Sequence, residues 1–220
     1  MARAKAKYHH GDLRRTLIDA GIAFLKDNGP DGLSVRTLAK SLGVSEAAPY
    51  HHFASRQDFE HAVMCEGYAL LQARCAAAVR DDGGLSGLLA AYIGFATDHP
   101  NLFHLIHRSD AARNPAYAAL HAASEAAFAP LLDEVRNRAA AARVTDPNRI
   151  GFLALMVWTQ VHGLADIVLS DFLRLGGDRD GFCQRAYAYI QTSLAAALRD
   201  AGPAPVEWPG KRAEPSDKTR

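Results

Sequence analysis

Cysteine is scarce in this 220-residue chain, with only Cys65, Cys75 and Cys183, widely spaced and with no Cys-x-x-Cys pair. An odd, scattered set argues against a disulfide framework and fits a reducing, cytoplasmic compartment with each thiol serving as a small core residue. An overall excess of charge is also missing: the net charge is +1, so nothing global announces a polyanionic partner. No apolar h-region opens the sequence, and no secretory signal is expected. Gly-x-Ser-x-Gly, a Walker loop, a dinucleotide fingerprint and His-Glu-x-x-His are all missing, and with them the usual marks of hydrolases, nucleotide enzymes and zinc proteases. His162 and Asp166 lie four apart and can form an acid–base pair, but a structural hydrogen bond is the plainer reading. No enzyme is expected.

What is present is unevenly placed. Residues 1–56 carry nine Lys/Arg against five Asp/Glu, a net +4, which leaves −3 for the remainder. A basic head on a slightly acidic body suits nucleic-acid contact by the head. Alanine is abundant, strand-like alternation is rare, and apolar residues recur at helical spacing, so the fold should be all-α. A first helix is expected from near His10–Gly11, with Leu13, Leu17, Ala20, Phe24 and Leu25 on one stripe, ending at Asn28-Gly29-Pro30. Ser34 should cap a short second helix ended by Gly43, and Ser45 another through about His52. Ser55-Arg56-Gln57-Asp58 opens a long helix to about Arg80, broken by Asp81-Asp82-Gly83-Gly84. Further helices are expected near 85–98, 100–107, 114–143, 147–173 and 179–200, the third of these kinked or split at Pro130. Ile150–Leu169 is apolar enough to invite a membrane reading, but Asp166 inside a bilayer would cost about 2.5–3.5 kcal/mol, so a buried core helix is expected instead. The expected division is a basic arm at 1–8, a reading head at 9–54, a helical body at 55–200 and a disordered, Pro-rich tail at 201–220.

The informative stretch is SVRTLAKSLGVSEAAPYHHFASR, from Ser34 to Arg56. Two short amphipathic segments meet at Gly43-Val44-Ser45, where glycine supplies the positive φ, Val44 plugs the small core and Ser45 caps the second segment. This is the helix-turn-helix arrangement, whose second element offers its N-terminal residues to the major groove of double-stranded DNA.

With its flanks, Tyr8 to Phe59 resembles the DNA-binding domain of the TetR family of repressors through Leu38-Ala39, Gly43-Val44-Ser45, Tyr50, His52-Phe53 and Arg56. Phe95–Leu105 and Trp158–Gly163 are similar to a TetR C-terminal subfamily marked by a Trp, His and Gly. The resemblance implies phosphate grips at Tyr50 and Arg56, although packing or plain solvation would also explain either residue. Arg36 and Thr37 would touch the backbone or groove edge. Ser45, Glu46, Ala47, Ala48 and His51 form the face toward base edges, with His52 in the same block. Glu46 can accept from cytosine or simply favour the helix N-terminus. Arg3, Lys5 and Lys7 would form an arm reaching backbone or minor groove.

Half-site reading requires a two-fold homodimer, and the helices near 147–173 and 179–200 are the expected interface, from both pattern and resemblance. The remaining helices should enclose a pocket for a small-molecule effector lined by Phe95, Phe103, His107, Tyr117, His121, Phe128, Trp158 and His162, a packed core being the alternative for each. His104 and His107 have i, i+3 spacing but no Cys or carboxylate at a useful interval, so neither metal nor cofactor is expected. The function expected is that of a DNA-binding regulator, probed against the rival of a helical adaptor by the loss of DNA affinity on Tyr50→Ala. An effector would act by shifting the helix from 55 to 80 and so the separation of the two heads.

Overall fold

The structure, a computed structural model, describes residues 13–107, 117–170 and 178–200. Among these residues it is all-α, with no strand. The helices are α1 (Leu13–Asp27), α2 (Val35–Ser41), α3 (Arg56–Ala78), α4 (Gly84–Asp98), α5 (Pro100–Ile106), α6 (Ala118–Ala141), α7 (Pro147–Leu169) and α8 (Arg179–Arg199). The expected arm, the tail and the residues before Leu13 lie outside the described residues.

Serines start several of these elements as the sequence suggests. The Ser55 hydroxyl accepts from the Asp58 amide at 3.0 Å, and Ser34 does the same for Thr37 at a looser 3.5 Å. Gly43, at φ +73°, turns the chain out of α2 in a conformation that a Cβ would strain. Three expectations change. Ser45 caps its segment, accepting from Ala48 N at 3.2 Å, but the segment itself is a single 3-10 turn, Ala48–His51, in place of a helix through His52. Pro49 is the reason: it lacks an N–H and disfavours helical geometry in the residue before it, while Phe53, 3% exposed, pins the chain to the core four residues later. The break at residues 81–84 is a π-type turn, Val79–Gly83, closed by Gly84 at φ +50°. Finally, of the kink or split expected at Pro130 the split does not occur, since one missing hydrogen bond weakens a long helix without ending it.

The chain folds as two compact units. The first comprises the chain to Arg74 together with Gly94–Phe128; the second comprises Cys75–Ile93 and everything from Ala129. Compactness thus groups the residues differently from a division at 54/55. In the first unit, Leu17, Ile18 and Leu25 of α1 are buried with Leu33, Val35, Leu38, Phe53, Phe59 and Val63. Gly21 lets α1 approach α3 closely: a Cβ there would sit 2.9 Å from Val63 Cγ2 and 3.0 Å from Phe59 Cζ. Helix α5 completes this core with Leu102, Phe103, Leu105 and Ile106. Its Asn101 side chain donates to the Leu25 carbonyl at 2.9 Å, closing the end of α1, and the Tyr68 hydroxyl donates to the Ile106 carbonyl.

In the second unit, α7 is long and apolar enough to cross a bilayer by length and composition. It buries Gly151, Leu153, Ala154, Val157, Val161, Leu164 and Ala165, the face of a core helix. Helix α8 contributes Cys183, Tyr187, Ile190, Leu194 and Leu198. Arg149 of α7 donates to the Ala197 carbonyl at 2.7 Å and to the Asp200 carbonyl, so its guanidinium serves the C-terminal end of α8.

Candidate nucleic-acid interface

The reading segment is built on two buried anchors. Pro49 and Phe53 face the core, and the Phe53 ring meets Phe59 edge-on at 5.1 Å. The Arg14 guanidinium lies 5.5 Å from the centre of the Phe53 ring. With those residues turned inward, Ser45, Glu46, Ala47, Tyr50, His51 and His52 are displayed to solvent, and Ala48 is half-buried. Tyr50 is 53% exposed, a large aromatic that the core has no use for.

Arg36 and Thr37 lie exposed in the first turn of α2 beside this segment. Arg36 is not a bare cation: its Nη2 is 2.6 Å from Glu46 Oε2, and both side chains are mostly exposed. Arg56, the first residue of α3, donates from Nη2 to the Asp31 carbonyl at 3.2 Å. That bond uses one of five N–H donors and holds the fork beside the turn that precedes α2. The structure therefore gathers the ten residues named from the sequence onto α2, the Ser45–His52 segment and the start of α3. What sequence reasoning missed is their pairing, because Arg36–Glu46 and Arg56–Asp31 are fixed by tertiary geometry at separations that no local pattern reports.

The candidate effector residues are more dispersed. Phe95, Phe103, His107, Tyr117, His121 and Phe128 belong to the first unit, Trp158 and His162 to the second. Phe95 and Phe103 are fully buried core residues. His107 Nδ1 lies 2.9 Å from the Phe103 carbonyl with its ring 4.4 Å from the Phe103 ring. Tyr117 meets His61 at 3.8 Å between ring centres, and burial holds the His61 imidazole below its ordinary pKa against the upward pull of Glu60 and Asp58. His121 Nε2 is buried with no hydrogen-bond partner among the described residues. Phe128 is half-buried. In the second unit Trp158 stacks on His162 at 4.8 Å and 14°, and the Tyr92 hydroxyl is 2.9 Å from His162 Nδ1. His61 and Tyr92 carried no sequence signal, since each is defined by a ring more than fifty residues away. Burial pushes the Tyr68 hydroxyl up to about 12, with Cys65 adding to the shift. A separate open cavity of about 330 Å³ lies in the second unit between Arg138, Ala141, Ala142, Leu194, Ala195, Leu198 and Arg199.

Comparison with known proteins addresses the same two regions. Residues 17–63 match the family described as bacterial regulatory proteins of the tetR family, and residues 85–190 match the tetracyclin repressor-like C-terminal domain; together these span more than half of the chain. A relative described as an uncharacterised HTH-type transcriptional regulator from Mycobacterium tuberculosis is 26% identical over 155 residues, covering 68% of this chain and 67% of the relative. A solved structure from Rhodococcus sp. RHA1, of a protein with unknown function, is 29% identical with a TM-score of 0.71, over 88% of this chain and 98% of that one. The TetR-family regulator PfmR from Thermus thermophilus shares the fold, with a TM-score of 0.54 at 18% identity, over 85% of this chain and 99% of that one. Both ends of the match, head and body, lead to one assignment: the chain belongs to the TetR family of DNA-binding transcriptional regulators.

Proposed function

We propose that this protein is a cytoplasmic repressor that binds a palindromic operator as a homodimer and leaves it when a small molecule occupies the body. The observation that carries the DNA reading is the display of Tyr50, His51 and His52 over the buried Pro49 and Phe53, beside Arg36, Thr37 and Arg56. In this reading Tyr50 and Arg56 grip phosphates, while Ser45, Glu46, Ala47, Ala48 and His51 face base edges. The homodimer is supported by surface apolarity. Five large hydrophobic side chains are exposed among the described residues, and three of them, Phe152, Met156 and Tyr189, lie on α7 and α8. The effector reading draws on the aromatic and histidine side chains of the body, among them the unsatisfied Nε2 of His121.

The test is selection from a random duplex pool at low and near-physiological salt. The expected result is a palindromic consensus whose half-sites are separated by about one helical turn or a multiple of it. Retention without sequence preference, lost as salt rises, would overturn the specific-regulator reading.

A further inference from the structure

Arg36 and Glu46, both among the residues proposed to face DNA, form an ion pair with each other, an odd place for a cation to be neutralised. Arg36 stands at the second position of α2 and Glu46 in the turn ahead of Ala48–His51, with 2.6 Å between Nη2 and Oε2. The two side chains are 67% and 52% exposed, so burial does not force them together. A pair this exposed is weak in water and readily exchanged for other partners. While closed, it withholds one cation from the phosphate backbone and screens one carboxylate that the backbone would repel.

The geometry points to a specificity switch: the Arg36–Glu46 pair stays closed on non-cognate DNA and opens at the operator, where Glu46 accepts from a cytosine amino group and Arg36 passes to a phosphate. This rests on the reading of Ser45–His52 as the base-contacting segment. The chemistry of discrimination is simple. A carboxylate accepts only, and in the major groove cytosine N4 offers a donor; adenine N6 does too, but beside acceptor N7, which repels a carboxylate, whereas guanine N7 and O6 and thymine O4 offer only acceptors. Opposite an acceptor edge Glu46 gains nothing by leaving Arg36. Opposite cytosine both members of the pair find new partners, so one exchange adds a base contact and a phosphate contact together. The pair thus lowers affinity for random sequence more than affinity for the operator, which widens the ratio between them.

The experiment compares full-length wild type, Glu46→Gln, Arg36→Gln and the double variant on a mixed-sequence duplex and on duplexes selected by wild type, across a salt series. Glu46→Gln should bind mixed-sequence DNA roughly three- to ten-fold more tightly, with the slope of log affinity against log salt steeper by about one per reading head. Arg36→Gln should weaken mixed-sequence binding modestly, by leaving the Glu46 carboxylate unscreened, and weaken the operator more, with a shallower slope there. Reselection with Glu46→Gln should lose a cytosine preference at one position of each half-site. Unchanged mixed-sequence affinity and slope for Glu46→Gln would overturn the switch and leave an ordinary surface ion pair. A wild type that selects no consensus would instead defeat the operator reading, while the mixed-sequence arm still decides whether the pair withholds Arg36. All four proteins should share one thermal transition within a few degrees, because neither side chain supports the core.

Discussion

Tyr50 sits alone among the described tyrosine and phenylalanine side chains of the head in facing solvent, while Phe53 and Phe59 three to nine residues on are buried. If its hydroxyl donates to a phosphate as proposed, truncation to alanine should weaken DNA binding about ten- to a hundred-fold, the worth of one hydrogen bond to a charged group. Gel-shift titration checks the affinity, and an unchanged melting temperature checks that the fold is intact. Gly21 makes the opposite prediction. A methyl there meets Val63 and Phe59 inside normal contact distance, so Gly21→Ala should cost about 1–3 kcal/mol of stability by overpacking, measured by urea unfolding. At this scale the sequence was a good guide to which residues face outward on the head, because exposure there follows from anchoring by Pro49 and Phe53. It was a poor guide to partners. Arg56 bonding to Asp31, 25 residues away, and Arg36 closing on Glu46 both depend on how α2 lies against the turn, which composition and spacing do not encode.

Helix boundaries were legible because their causes are local. Ser55 accepts from the Asp58 amide as its spacing suggests, and replacing it with alanine should destabilise the start of α3 by about 1 kcal/mol, seen as a lowered unfolding midpoint. Two of the three places where elements depart from or narrow the expectation involve proline. Pro49 reduces the expected reading helix to one 3-10 turn, while Pro130 lies within a helix that it does not split. A four-residue element has no spare hydrogen bonds to lose, whereas α6, with 24 residues, does. Arg149 shows an element stabilised from outside itself. Its guanidinium serves carbonyls at the end of α8, and Arg149→Ala should cost about 1.5–3 kcal/mol and fray that end first, measured by hydrogen exchange at residues 196–200.

For the whole molecule, all-helical architecture was evident from the repeat of apolar residues, and the effector site was not. Aromatic and histidine residues chosen for a pocket divide between two compact units, and Phe95 and Phe103 turn out to be fully buried core. A residue type that lines cavities is the same type that fills cores, so sequence alone cannot separate the two roles. His61 gives the molecule a pH dependence whose sign follows from its burial. Its pKa is lower folded than unfolded, so the unfolded chain takes up a proton first as pH falls. This contribution to stability is complete above the unfolded value near 6.5 and declines as pH drops below it. The fall in melting temperature between about pH 7.5 and 5.5 should therefore be smaller in His61→Gln than in wild type, compared by thermal scans in matched buffers.

The chain passes between its two compact units at residues 74/75, 93/94 and 128/129, and each passage lies within a helix: α3, α4 and α6. Neither unit is one continuous stretch of sequence, and no linker joins them at these points. A gene fragment ending at Arg74 would carry α1, α2 and most of α3 but omit α5, leaving Leu25 without Asn101 and Gly67 without Leu102 and Ile106. A reading head transplanted onto another regulator must therefore bring Gly94–Phe128 with it. Recombination at the tidy border suggested by the helix-turn-helix motif would separate the head from part of its own core, so new specificities in this architecture are more readily reached by substitution on the displayed face than by exchange of cassettes.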